Sequence, residues 1–435
     1  MRRSPRNLRI ACDHRGLTHF GGAHFFHEFL RVLQLRDCLA PQVRYPRRNH
    51  DYSVSQMLLA LIYPLVLGLD RIETASFLRC NGTFQYLTGL PSFPDPQTLR
   101  RFLRNAPDRL WEQLHRANDR LLQRFIHLPE RRSRLIFDLD STGVTVFGKQ
   151  DGAEVGYNPK YRGQRSSNPL LCLEANSSFL GDAELRPGNA GTWEGSPALL
   201  ETSFVNVPPE IRELRLRGDA GFGYDPVMKI LEAHRTHYAV VARLTASLKR
   251  LLPGLDYEPA NARWECAEGE FRAHGWKPAR RVVAARRLIE EDDPQPTLFA
   301  MGRYVYRVWL TNLALTPAGV WHFYDARAAM EPRLHELRED FALRKIPTRA
   351  LAAHALYLEV VRLAYNLITA FQRTCLPQEW QSLTLGKLRY RLFWLPGEFT
   401  RPQNRPTLRL ANSPLIRDWA EKILHRTHKL KPLEA

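Results

Sequence analysis

Near Arg134 the hydrophobic period of this chain changes from helical to alternating, and the alternating run RLIFDLDSTGVTVFG carries two aspartates, Asp138 and Asp140. From Ser53 to about Ile126 the pattern is helical instead, in SQMLLALIYPLVLGL, DRIETASFL and QTLRRFLRN. Long separate blocks of both periods exclude an all-α or an all-β chain. Downstream, strands are expected in PLLCLEA, GDAELRPG, ELRLRGDAGFG and YAVVARL, with a helix from about Pro226 to His234. Strands first, then alternation of strand and helix, predicts an α/β fold with a mixed-sheet core, preceded by an all-α N-terminal region. RLIFDLDSTGVTVFG itself reads as two strands joined at Ser141-Thr142-Gly143. Residues 250–315 return to strand-like, Arg- and Trp-rich sequence, and two long helices are expected over Asp325–Arg344 and Arg349–Arg373. The resulting divisions are a helical region 1–130, a core 131–248 with 316–376, a β-rich insertion 249–315 and a basic C-terminal region 377–435.

Charge narrows the partners. With 63 Lys and Arg against 45 Asp and Glu, the formal net charge is +18, a balance suited to a polyanion such as DNA. Both ends are basic, with ten Lys/Arg against three acids in residues 1–50 and eight against three from Arg401 onward. The six cysteines show no CxxC spacing, which fits a reducing compartment better than a disulfide framework. The start lacks the apolar stretch of a signal peptide, and the run Met57 to Leu67 is too short to span a membrane. A cytoplasmic protein with no membrane partner is therefore expected. No GxxxxGK[ST] is present, so a P-loop mechanism is not supported. Cys12, His14, His19, His24 and His27 match no common zinc spacing.

Three acids stand out by position. Asp140 ends the first core strand, Asp219 ends a later one 79 residues on, and Glu331 lies on a helix after the strand-rich insertion. Carboxylates at neighbouring strand ends, completed by one from a helix, can hold divalent cations that clamp the attacking and leaving oxygens of a phosphodiester. Hard oxygen ligands suit Mg²⁺ or Mn²⁺. Asp138 points to the same strand face as Asp140 and is the alternative first ligand.

Glu331 lies in a longer pattern: Tyr324, Arg327, Glu331 and, seven residues on, Arg338. It resembles the Tyr-Arg-Glu-Lys signature of DDE transposases of the insertion-sequence-4 superfamily. DLDSTGVTVFGKQDGAEVGYNPKYRGQRSSNPLLCLEA followed by ELRPGN is similar to the first catalytic block of the insertion sequence 1380 group, RLRGDAGFG to its second, and ALYLEVVRLAYNLITAFQR to the helix after the glutamate. The resemblance runs from about Leu17 to about Leu410. It implies a ribonuclease-H-like fold with a β-rich insertion, and a Mg²⁺- or Mn²⁺-dependent enzyme. Such an enzyme binds double-stranded DNA at the terminal inverted repeats of its element, cleaves it and joins it to target DNA, as a homodimer, in association with the bacterial nucleoid. Residue by residue it places the catalytic and metal-binding acids on Asp140, Asp219 and Glu331. Arg338 stands where the signature has lysine, keeping the charge with a different geometry. Pro332 follows Glu331 directly and kinks the helix unless it lies in the first turn.

DNA contacts are expected from Tyr324, Arg327 and Arg338 around the glutamate, and from Lys160, Arg162 and Arg165 in the basic loop YNPKYRGQRS. Arg100, Arg101 and Arg104 occupy a short helix after two others, introduced by an Asp95 cap and Pro96, as in a helix-turn-helix reader. In the insertion, Trp276 is the candidate for stacking on an extruded base, as in hairpin-forming relatives. Two other functions remain open: a catalytically silent, transposase-derived DNA-binding protein, and a metal-dependent nuclease without strand transfer.

Overall fold

The alternating segments pair into one mixed sheet that is ten-stranded among the described residues. The structure, a computed structural model, describes residues 9–39, 45, 51–128, 130, 132–156, 158, 161–205, 207–289 and 300–433. β1 (Arg134–Ser141) pairs antiparallel with β2 (Leu170–Glu174), and β2 antiparallel with β3 (Leu180–Glu184). On its other side β1 runs parallel to β4 (Glu213–Gly218), and β4 parallel to β5 (His237–Val241), with the Asp225–Ala233 helix as the crossover. The order β3-β2-β1-β4-β5 is the ribonuclease-H-like arrangement implied by the resemblance. Every residue of β2 is buried, which is why LLCLE reads as a continuous apolar run rather than an alternating one.

The insertion extends this sheet. Its strands are β6 (Glu258–Pro259), β7 (Glu265–Phe271), β8 (Arg280–Leu288), β9 (Ala300–Met301) and β10 (Tyr304–Thr311), and β10 pairs antiparallel with β5. One sheet face carries Val283, Ala285 and Trp309 into a core with Val320 and Trp321 of the Pro317–Asp325 helix.

Three local expectations change. The second half of RLIFDLDSTGVTVFG does not fold back on β1; Val144–Thr145 pairs with Arg165–Ser167 in a separate small sheet. The Thr142 amide donates to Pro169 O, which leads the chain off the main sheet after Ser141. The helix expected over Asp325–Arg344 is instead Pro317–Asp325, a 3₁₀ turn Ala326–Ala329 and a helix Met330–Glu339. Thr316 caps the first helix by accepting from the Gly319 amide, with Pro317 at the first position. Pro332 falls in the first turn of the second helix, where a missing N–H is tolerated. The N-terminal region is not wholly α-helical, because Leu17–Thr18 pairs with the C-terminal strand Gly397–Thr400.

The chain divides into two units, Met1–Ala106 with Ala370–Ala435, and Pro107–Thr369. The basic C-terminal region therefore folds with the N-terminal helices, and the Asp108–Phe125 helix with the sheet. In the first unit Gly68, at φ +84°, ends the Val54–Leu67 helix, and Arg389 donates to the Val66 carbonyl and to that of Leu65, which also accepts from the Gly68 amide. Phe26, Phe29, Phe371 and Phe393 form its aromatic core. Among the described residues one helix, Leu351–Thr374, is long and apolar enough to cross a membrane, but 83% of its apolar window is buried within the fold.

Candidate active site

Strand register does the positioning. In the parallel pair β1 and β4, Leu139 lies opposite Gly218, so Asp140 and Asp219 come side by side at the ends of adjacent strands. The Ser141 amide donates to Asp140 Oδ1 at 2.8 Å, and the Gly221 amide to Asp219 Oδ1 at 2.8 Å, where Asp219 caps the turn Ala220–Phe222. The second oxygen of Asp140 lies 3.1 Å from Arg327 Nη2, and that of Asp219 is uncommitted among the described residues.

Arg327 bridges the strand and the helical segment. Its Nη2 also donates to Leu139 O at 3.1 Å, while its Nε is buried without a partner. Burial pushes the Asp140 carboxyl up; Arg327 draws it back and the neighbouring Asp219 charge raises it further. Burial opposes the Arg327 charge, but Asp140, Tyr324, Asp138 and Asp219 together outweigh it and raise the guanidinium pKa. Tyr324 belongs to the same group: burial raises its phenol pKa, Arg327 lowers it, and Asp219 and Asp140 raise it again. Two acids, one arginine and one tyrosine from the expected set are thus brought together.

Asp138 is committed elsewhere. It is 1% exposed and accepts two hydrogen bonds from Arg217, at 2.6 and 2.7 Å. Both acid positions on β1 meet a residue 79 positions later, Arg217 on β4 for Asp138 and Asp219 just past the end of β4 for Asp140, because the parallel register is constant. Burial of Asp138 raises its pKa against the pull of Arg217. Of the two candidates, Asp138 has both oxygens on one guanidinium, whereas Asp140 has one on the Ser141 amide and one on Arg327.

The other expected residues are dispersed. Glu331 is exposed in the first turn of Met330–Glu339 and makes no hydrogen bond or ion pair with Asp140 or Asp219. Arg338 is half-buried near the end of that helix, its Nε without a partner. Arg162 is exposed, Arg165 is drawn into the small sheet by a bond to Ala153 O, and Lys160 lies outside the described residues. Trp276 is half-buried against Phe271 and lies under Arg280, which pairs with Asp225 and Glu232. On the Asp95-capped helix Pro96–Arg104, Arg100 pairs with Glu73, whereas Arg101 and Arg104 are exposed.

Asp140 and Asp219 are hard oxygen donors of the kind a divalent cation takes, but Glu331 does not join them: among the described residues the group of three ligand-type side chains within reach of one another lies elsewhere. A second acidic cluster was not anticipated from the sequence. His115, Asp182 and Glu359 place ligand-type atoms within 4.8 Å of one another. Arg362 Nη1 lies 3.0 Å from His115 Nδ1, 3.5 Å from Asp182 and 3.4 Å from Glu359, so the place an ion would take is filled by a guanidinium.

The class that the fold and site define is an α/β protein whose mixed sheet carries two aspartates at the ends of adjacent strands. More narrowly, the chain belongs to the family described as Transposase DDE domain group 1, which matches residues 2–432. It is similar to a piggyBac transposase in a cryo-EM structure of a synaptic complex with hairpin DNA, at 11% identity and a TM-score of 0.44, covering 86% of this chain and 78% of that one. No curated protein matches the chain.

Proposed function

We propose that this protein is the transposase of a mobile DNA element, cutting at the element's inverted repeats and joining the freed ends to target DNA. The observation that carries the reading is the Asp140–Asp219 pair beside Arg327, whose buried Nε lacks a partner. An unpaired buried guanidinium N–H next to two acids suits a phosphate oxygen arriving with its counter-cation. Asp140 and Asp219 are the residues that would hold Mg²⁺ or Mn²⁺, and Glu331, on the helix directly after Arg327, is the third acid we assign. Bound there, the ion supplies an acidified water and neutralises charge on the phosphate.

The chain's own groups have separable roles. Arg327 orients a non-bridging phosphate oxygen while fixing Asp140 through its other contacts. Tyr324, kept as a neutral phenol, is a hydrogen-bond donor to the same strand. In the first step a water oxygen bonds to phosphorus and the P–O3′ bond breaks, leaving a 3′-OH. In the second, that 3′ oxygen bonds to a target phosphorus and the target's P–O3′ bond breaks, so one site serves both steps without an external oxidant or nucleotide. Arg338, Arg101, Arg104 and Arg162, the last with Lys160 and Arg165 beside it in sequence, are the backbone contacts we assign, with Arg100 and Trp276 in supporting positions and two copies of the chain on paired ends.

The test is a plasmid carrying the DNA that flanks the gene, incubated with the full chain and Mg²⁺ or Mn²⁺. Cleavage at the element boundary, then joined product from pre-cut ends, supports the reading. Binding without nicking would establish the silent DNA-binding protein instead, and nicking without joining the nuclease.

A further inference from the structure

The buried Arg217–Asp138 pair lies directly behind the acids and contacts neither Asp140 nor Asp219. Arg217 is 3% exposed; its Nε and Nη2 are taken by the two Asp138 oxygens, which fixes the plane of the guanidinium. Its remaining Nη1 donates to Phe323 O at 3.0 Å, and its Cζ lies 5.4 Å from the centroid of the Phe323 ring. Phe323 is in the last turn of Pro317–Asp325, where carbonyls lack helical partners and a cation complements the helix dipole. The next residue is Tyr324, and four residues on is Arg327, which reaches Asp140 and Leu139 O.

We infer that Arg217, held square by Asp138, is a positioning residue: it docks the end of this helix on β1 and β4, two residues below the acids on each strand, and so sets Tyr324, Arg327 and the following Glu331 in register with Asp140 and Asp219. Three attachments make the dock: the Asp138 fork, the Phe323 carbonyl and the Phe323 ring. Lysine in its place keeps the charge but cannot make both the fork and the carbonyl bond in one plane. A pair whose only role is to stabilise the sheet would affect folding; this one acts on the chemical step through Arg327.

The inference rests on the transposase reading, and its test separates the two. In full-length protein, Arg217→Lys should leave flanking-DNA binding within about twofold and lower the cleavage rate of the bound complex by about 10- to 100-fold, as a misplaced orienting group does. With Arg327→Ala already present, the same change should lower the rate by less than about threefold, because both act through one contact. Multiplicative losses, or an unchanged rate in Arg217→Lys, would overturn the inference. Hydrogen exchange reads the dock without turnover: in Arg217→Lys and in the milder Asp138→Asn, peptides spanning Phe323–Glu331 should exchange at least tenfold faster while β2 and β3 do not change. Unchanged exchange there refutes the dock even if the enzyme is active. Faster exchange in a protein that cleaves nothing would leave the dock standing and sink the transposase reading.

Discussion

Two acidic clusters in the sheet-containing unit each converge on an arginine, and they differ in what that arginine leaves free. Around Arg362, which is 1% exposed, every carboxylate is answered: Asp119 at 3.0 Å from Nη2, Glu359 also by Asn118 at 3.0 Å, Asp182 also by Thr202 at 2.7 Å. Around Arg327 the accounting is incomplete, with an unpaired Nε and an uncommitted Asp219 oxygen. Convergence of acids alone therefore does not mark a metal site. In a folded core a guanidinium can satisfy converging acids permanently, whereas a site that must admit an ion and a phosphate keeps hydrogen-bonding capacity unused until they arrive.

The comparison breaks first at the open site. Asp140→Asn or Asp219→Asn should each reduce cleavage by at least about 10³-fold while leaving thermal stability equal or slightly raised, since burial disfavours the Asp140 charge and Asp219 opposes it, against the pull of Arg327. Cleavage and melting assays check both halves, and residual cutting near wild-type level by either variant would remove that residue from the site. The closed site should behave oppositely. Arg362→Met leaves buried carboxylates unanswered and should destabilise by roughly 3–5 kcal/mol, seen in urea unfolding, with no change in the metal concentration that half-activates whatever folded protein remains.

A smaller effect separates positioning from folding. Arg327→Ala should lower cleavage by about 10²-fold, on the scale of losing one preorganised donor, yet cost less stability than Arg362→Met. Equal loss of stability in the two would erase the distinction drawn here. The smallest effect concerns pH. Burial disfavours charge on His115, but bonding to Glu359 with the nearby Asp182 outweighs it and raises its pKa above the usual 6.5. Its contribution to stability is then full below about 6.5 and lost as pH rises through the folded value. Urea midpoints should fall from pH 6 to pH 8.5, and His115→Gln should flatten that slope; an unchanged slope would show that His115 is neutral in its cluster.

Much of this was legible in the chain. The β1 and β4 segments, their terminal acids and the strand-rich insertion follow from alternating runs ended by Gly, Asp and Ser, where local pattern and burial agree. The helix expected over Asp325–Arg344 is split and begins earlier because Thr316 and Pro317 supply a cap and a first-turn proline that start a helix before Asp325. Arg217 and Arg362 left no local signal. Each is one more arginine in a basic chain, and the partner that decides its role is 79 residues away for Asp138 and 243 for Asp119.

The sequence by itself determined the kind of core and where acids would meet its edge, because strand period and turn residues act over a few neighbours. Tertiary structure alone decided which acids remained available. Burial forces each charge to find a partner, and that partner is chosen by strand register and helix docking across the fold: Asp138 was taken by Arg217, the His115 cluster by Arg362 and Asp140 by Arg327, while one Asp219 oxygen was left open.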